Sequence, residues 1–394
     1  SKTAANGGWG YPVIAGNLHN FGGRINMHGD LALLASNQYQ KAKARYPNVC
    51  GSGLFMEAIE QNPVYYELAF EMPNHADSIP LQAWLAAYAE RRYGAKSAAA
   101  GKAWMYLLEG PYRQGTNGTE RSSIVAARPA LNVKKSGPNA GLGIPYEPML
   151  VIRAQSQLLK DADKLAFSKP YRFDIVDVQR QMMTNLGQLV HKKAAEAFAS
   201  KDKAAFVLHS GRFLELLRDM DELLYTRSEY SFDRWLTEAR SWGETKEEKD
   251  LMERDATSLV TIWGADGDPR IFDYSWREWA GLINGYYLPR WQKFYTMLQG
   301  HLDAGTDYQE EGLSLAYGRE DFRANDFYNR LAEWELAYVD QTGKARTPVT
   351  HGDELVVTRR LFDKYLKLSR EYYADFSGVG EIKEERTYEN VGEE

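Results

Sequence analysis

The 394-residue chain has one cysteine, Cys50, so it can form neither an intrachain disulfide framework nor a multi-cysteine metal site. Its seven histidines (19, 28, 75, 191, 209, 301 and 351) are scattered, with no pair at metal-ligand spacing, so no metal and no organic cofactor is expected. No apolar run approaches the roughly 18 residues that a membrane-spanning helix needs. Basic charge is not in excess: 48 Lys and Arg face 54 Asp and Glu, for a net charge of -6, which gives no electrostatic footprint for nucleic acid. The opening SKTAANGGWG has neither the basic stretch nor the apolar stretch of a secretory signal. Also absent are a G-x-G-x-x-G after a strand, a Walker A loop, a G-x-S-x-G elbow, an H-E-x-x-H pair and any internal repeat. What the chain has in excess is aromatics: 10 Trp, 25 Tyr and 15 Phe make 13% of it, within an otherwise ordinary globular composition.

Strand-like signal is confined to the start. YPVIAG (11–16) and GLFM (53–56) are short apolar runs. Between them Leu31, Leu33, Leu34, Tyr39 and Ala42 repeat at helical spacing up to Pro47, so the order reads as one strand–helix–strand unit of a parallel sheet. After Asn62-Pro63, an N-cap followed by proline at the first helical position, nearly everything has helical period. Helices are expected at 79–94, 173–198, 203–226, 232–243, 245–262, 273–303, 319–340 and 352–374, with 173–198 and 203–226 forming an antiparallel pair. Residues 113–147, polar and rich in glycine and proline, read as a long functional or disordered loop. Cys50 reads as a small buried residue.

A full (β/α)8 barrel needs eight strands, and two are visible. A lone strand–helix–strand unit cannot cover both faces of its own sheet. The fold class is therefore mainly α, and residues 1–75 are an incomplete piece of a domain whose remainder is elsewhere. Residues 76–376 form an all-helical domain, and 377–394 an acidic, mobile tail.

Three places carry candidate chemistry. Glu57 follows the second strand and precedes a helix, at the strand end where (β/α)8 enzymes keep their catalytic groups. A carboxylate there serves as nucleophile or acid/base; the alternative is an ordinary surface glutamate. LHNFGG (18–23) places His19 and Asn20 at the end of the other strand, able to bond sugar hydroxyls or to hold a carboxylate, or simply to build a turn. TIWGADGDPRIFDYSWREWAGLINGYYLPRW (261–291) sets aromatics around a turn cluster. Most of them read as helix core, whereas Trp263 and Tyr274 flank the loop and suit stacking on a sugar face.

Taken together, LHNFGG, GSGLFMEAIEQNP (51–63), WLAAYAERRYG (84–94), RSSIVAARPAL (121–131), FDIVDVQRQMMTNL (173–186) and the 261–291 segment resemble the alpha-N-acetylglucosaminidase family, glycoside hydrolase family 89. That resemblance implies a C-terminal part of a retaining exo-alpha-N-acetylglucosaminidase, with residues 1–75 as the C-terminal portion of an incomplete (β/α)8 catalytic barrel. Glu57 would be the nucleophile, although Met56 and Ala58 stand where the family more often has proline and glycine. The acid/base Glu would lie in an N-terminal segment that completes the barrel as a partner. Trp263, Ile271 and Tyr274 would close over the sugar, with His19 and Asn20 beside it. A secreted or periplasmic location is expected over a lysosomal one. The competing expectation is a non-catalytic helical protein that binds glycans or a partner.

Overall fold

The computed structural model describes residues 10–58, 60–113, 121–137, 141–264, 271–308, 310 and 326–373. The turn cluster at 265–269, the tail from 374 and residues 319–325 of one expected helix lie outside them. Strands β1 (Val13–Leu18) and β2 (Val49–Phe55) pair in parallel, as the strand–helix–strand pattern requires. Two helices, α1 (Leu31–Ala35) and α2 (Gln38–Arg45), replace the single one expected between them. The break is at Asn37, which adopts a left-handed φ of 59°. Its amide donates to the carbonyls of His75 (2.7 Å) and Asp77 (3.3 Å), while its oxygen caps α2. Helix α3 (Pro63–Glu71) follows β2.

Helices cover one face of this sheet, and the other exposes Ile14 (62%), Leu18 (46%) and Phe55 (60%). Cys50 is exposed rather than buried. The register passes from Val13–Val49 to Ile14–Gly51, so Cys50 is the extra residue of a bulge and turns out of the ladder.

The remainder is helical: α4 (Leu81–Tyr93), α5 (Ala98–Glu109), α6 (Met149–Lys160), the single turn α7 (Ala162–Leu165), α8 (Lys169–Ala199) and α9 (Lys203–Leu224). Then come α10 (Phe232–Arg240), α11 (Lys246–Leu259), α12 (Leu288–Ala304), α13 (Asp326–Asp340) and α14 (Glu354–Tyr372). The 31-residue α8 is the axis of the domain, about 46 Å long. It starts from the Ser168 cap with Pro170 in its first turn and ends where Lys201 turns left-handed (φ 58°) into α9. Met182, Leu186 and Val190 on α8, with Phe213, Leu217 and Leu224 on α9, are fully buried, each worth about 1.5–3 kcal/mol. α4, α6 and α14 pack on other sides of α8. One large apolar core runs from Ile25 through this bundle to Tyr365, with a small second cluster of Ile262, Phe272 and Val339.

Two stretches here depart from regular structure. The described part of the 113–147 stretch is irregular, as a loop should be, but its middle packs inside: Ile124, Val125, Ala126 and Ala127 are at most 1% exposed. Their carbonyls find partners: Arg290 donates to Ala126 O (2.6 Å) and Trp291 Nε1 to Val125 O (3.3 Å). The helix expected over 273–303 begins only at Leu288, after a π turn at Ile283–Tyr287. Pro289 cannot donate to the preceding turn, which accounts for the widened coil. Before it, Asp273 has φ 58° and Gly281 φ 83°, and neither continues a helix.

Candidate active site

Glu57 lies just past the carboxyl end of β2, and the loop after β1 holds it at two points. Its backbone N–H donates to Asn20 Oδ1 (3.2 Å), and its carboxylate accepts from the N–H of Gly22. Gly22 in turn is clasped by the segment that follows residue 270. Its carbonyl accepts from Ser275 Oγ and from the Arg277 guanidinium. Only glycine fits there. The φ is +62°, and a Cβ would fall 2.6 Å from the Tyr274 carbonyl oxygen. The same holds for Gly23, whose Cβ would meet the Arg277 guanidinium at 2.2 Å.

Arg277 is buried and donates to main-chain carbonyls, including Ser275 O at 2.8 Å and Trp276 O at 3.1 Å, and to Ser275 Oγ at 3.1 Å. Burial pulls its guanidinium down to about 10. Arg24 acts in the same direction, while Tyr287, Glu60 and Glu57 oppose it. It therefore stays a cation at neutral pH, facing the Glu57 side of the cleft.

Two buried charge clusters hold this segment in place. Arg290 reaches Asp273 and Glu335 at 3.0 Å each, and Glu335 also takes Arg128 at 2.7 Å. Glu278 accepts from Arg180 on α8, from Thr184 (2.8 Å) and from Ser123 (2.5 Å). Each of these charges is buried and ion-paired, which fixes a stretch that has no regular structure of its own.

The cleft beside Glu57 has a volume of about 520 Å³. Gly22, Gly23, Glu57 and Glu60 form one wall, Trp263, Ser275, Arg277 and Trp279 the second, and Arg234, Trp235 and Glu238 of α10 the third. Arg234 bridges the walls, pairing with Glu60 (3.0 Å) and Glu238 (2.8 Å). Burial raises the pKa of Glu60, and Arg234 pulls the other way.

The residues singled out from the sequence separate into three groups. Glu57 and Trp263 line the cleft. Trp263 adopts a left-handed φ of 57°, with its N–H on Ser258 O at 2.7 Å, so its ring position is imposed by the fold. Asn20 and Tyr274 stand behind those two. Asn20 is fully buried against the Glu57 backbone, and the Tyr274 ring lies 4.6 Å from that of Trp263 with Arg24 above it (5.2 Å). His19 and Ile271 are not on the cleft wall. His19 is buried, stacked on His28 at 4.0 Å and bonded to Tyr66 OH (3.2 Å) and His28 O (3.1 Å). Burial, with His28 beside it, holds the His19 imidazole well below its usual pKa, so it acts as a neutral strut of the loop. Ile271 is 37% exposed, and its carbonyl accepts from Tyr274 N–H (3.1 Å).

The third wall is not legible in the sequence. On α10, Arg234, Trp235 and Glu238 recur at i, i+1 and i+4, a signal indistinguishable from an ordinary solvated helix face. Trp279, expected in the core, is buried yet lines the cleft. Among the described residues no three His, Cys, Asp or Glu converge as a metal site.

Comparison with known proteins gives a consistent answer. Residues 84–364 match the alpha-N-acetylglucosaminidase C-terminal domain, and residues 3–76 match the TIM-barrel domain of the same enzyme. Human alpha-N-acetylglucosaminidase is 34% identical over 365 residues, covering 90% of this chain and 45% of that protein. A family 89 glycoside hydrolase from Clostridium perfringens, solved with PUGNAc, superposes with a TM-score of 0.79 at 29% identity, covering 95% of this chain and 40% of that one. A double Glu-to-Gln variant of the C. perfringens enzyme, solved with its substrate GlcNAc-alpha-1,4-galactose, gives 0.81 at 28% identity over 92% of this chain and 40% of that one. The chain thus spans under half the length of these relatives. Both of its parts match one family in chain order, and the chain belongs to the alpha-N-acetylglucosaminidase family.

Proposed function

We propose that this chain supplies the nucleophile side of a retaining glycoside hydrolase that removes terminal alpha-linked N-acetylglucosamine. The observation that carries the reading is the setting of Glu57. It stands at a strand's C-terminal end with its backbone N–H on Asn20 and its carboxylate on the Gly22 N–H, and it opens into a cleft walled by Trp263. Two relatives support the substrate class, one by its name and the other by its bound GlcNAc-alpha-1,4-galactose.

In this mechanism the Glu57 carboxylate attacks the anomeric carbon as the bond to the leaving oxygen breaks. A glycosyl ester forms, and water then cleaves it with net retention. Retention requires a second carboxyl group, about 5–5.5 Å away, to protonate the leaving oxygen and then to take a proton from the water. Glu60 shares the cleft but is engaged by Arg234, so this role is assigned to a further barrel segment, this chain spanning under half the length of its relatives. The apolar face of Ile14, Leu18 and Phe55 is where that segment would pack.

The test is hydrolysis of para-nitrophenyl alpha-N-acetylglucosaminide by the chain alone and with its N-terminal complement, with the first-formed anomer read by NMR. Turnover is expected only with the complement, with the alpha anomer released first and a loss of several orders of magnitude for Glu57→Gln. Robust turnover by the chain alone would move the acid/base role to a carboxylate of this chain. Full activity of the Gln variant would remove Glu57 from the mechanism. Glycan binding without turnover even in the complemented protein would favour the non-catalytic reading.

A further inference from the structure

Helix α10 does not stop where the cleft does. Arg234, Trp235 and Glu238 share the face that lines the cleft, and the next position on that row is Trp242. The C-cap residue, Ser241, still has helical dihedrals (φ -66°, ψ -15°), so the path continues through it. Trp242 therefore lies about 6 Å beyond Glu238 and about 10 Å beyond Trp235 along the axis.

Its side chain is 85% exposed, more than any other large apolar side chain among the described residues. Tryptophan is ordinarily among the more buried residues on average, and among the described residues no other ring stacks on this one and no hydrogen-bond partner engages its indole. A rigid, amphipathic aromatic surface left in water beside a sugar cleft suits the apolar face of a pyranose.

The charged groups around it largely pair with one another. Glu238 is exposed, and Glu244, Glu247 and Glu248 follow within a few residues. Most of the nearby cations are already engaged: Arg234 by Glu60 and Glu238, Arg240 by Asp250 and Glu253, and Lys246 by Asp250. Glu238 is itself taken by Arg234 and Glu248 by the N–H groups of Glu244 and Thr245, which leaves Glu244 and Glu247 beside Lys249. A sulfated or uronate-bearing chain would therefore meet more carboxylate than available cation.

We propose that the α10 face ending at Trp242 is an outer glycan-binding surface, which carries the stem of a neutral oligosaccharide whose terminal sugar reaches Glu57. The inference rests on the glycosidase reading for its direction, but binding tests it without turnover. The full chain, with its N-terminal complement where one is required for solubility, is titrated calorimetrically with two probes. One is a neutral tetrasaccharide ending in GlcNAc-alpha-1,4-galactose, and the other is the same chain bearing sulfate on its inner sugars.

Tight binding of the neutral probe is expected. Trp242→Ala should weaken it about tenfold with an unchanged Tm, the size expected when an aromatic anchor is truncated in a binding surface. The sulfated probe should bind more weakly than the neutral one, and Glu238→Gln should narrow the gap. Equal affinity of wild type and Trp242→Ala for the neutral probe would overturn the surface. Equal or tighter binding of the sulfated probe would overturn the selection for neutral sugars. Loss of binding in Trp242→Ala from a protein that turns over no aryl glycoside would leave this surface standing and remove the catalytic reading instead.

Discussion

Replacing Gly22 by alanine tests the joint on which the site depends. At φ +62° an alanine costs about 1–2 kcal/mol for its left-handed backbone. The new Cβ would lie 2.6 Å from Tyr274 O and 2.9 Å from Ser275 Cα. Both are main-chain atoms of a segment pinned by Arg290 and Arg180, so no side chain can swing away. Overpacking of this kind adds about 1–3 kcal/mol, relieved only if the Gly22 loop backs off. That movement withdraws the N–H from the Glu57 carboxylate. A hydrogen bond to a charged group is worth about 1.5–3 kcal/mol, so kcat/KM on the aryl glycoside should drop roughly 10- to 150-fold. The assay is steady-state hydrolysis by the complemented enzyme alongside a thermal melt. Gly101→Ala is the control, because that residue sits within α5 with nothing within 4 Å of the added Cβ. It should leave kcat/KM unchanged and raise stability by about 0.5–1 kcal/mol. A Gly22→Ala enzyme within twofold of wild type would show that the loop and the 271–282 segment are not tightly coupled to Glu57.

Glu335→Ala removes the carboxylate shared by Arg128 and Arg290 in a fully buried cluster, with an expected loss of about 3–5 kcal/mol in urea unfolding; a loss below about 1 kcal/mol would mean that water or other groups replace it. His191 is buried with Nδ1 on Tyr295 OH (2.8 Å), and burial lowers its pKa from 6.5 to about 4. Above pH 6.5 neither the folded nor the unfolded chain holds this proton. Between pH 6.5 and 4 only the unfolded chain takes it up, so stability is lost as the pH falls, approaching about 3 kcal/mol. Unfolding measured from pH 7 to 4.5 should show a shallower acid slope for His191→Gln than for wild type, and identical slopes would refute the assignment.

Much of the fold was legible because most of it obeys local rules. The strand–helix–strand unit, the α8–α9 pair and the Gly94 helix end all follow from periodicity and capping. The failures share a cause that periodicity does not encode. Asn37 breaks a helix because its amide has acceptors at His75 and Asp77, about forty residues on. Asp273–Leu282 leaves the helix because Asp273 and Glu278 answer to arginines on other helices. At the site, the strand-end places of Glu57 and Asn20 could be read, because both follow short apolar runs, whereas the bond from the Glu57 backbone N–H to Asn20 could not. The bond from Arg277 to the Gly22 carbonyl joins positions 255 apart, and no spacing rule connects them.

That long-range bond also changes how the helical domain should be regarded. Glu57 belongs to the barrel portion, and so does the N–H that meets its carboxylate. Yet the peptide carrying that N–H is positioned by Ser275 and Arg277, which the helical domain holds through Glu278, Arg180 and α8. The hydrogen bond at the carboxylate is therefore only as rigid as the α8 packing behind it. A loosened helical domain would first release the Gly22 hydrogen bond, with the β2 strand end still intact. Substitutions at Arg180 or Glu278, buried away from any sugar, should accordingly lower turnover before they unfold the protein. The helical domain is thus part of the support for the Glu57 carboxylate.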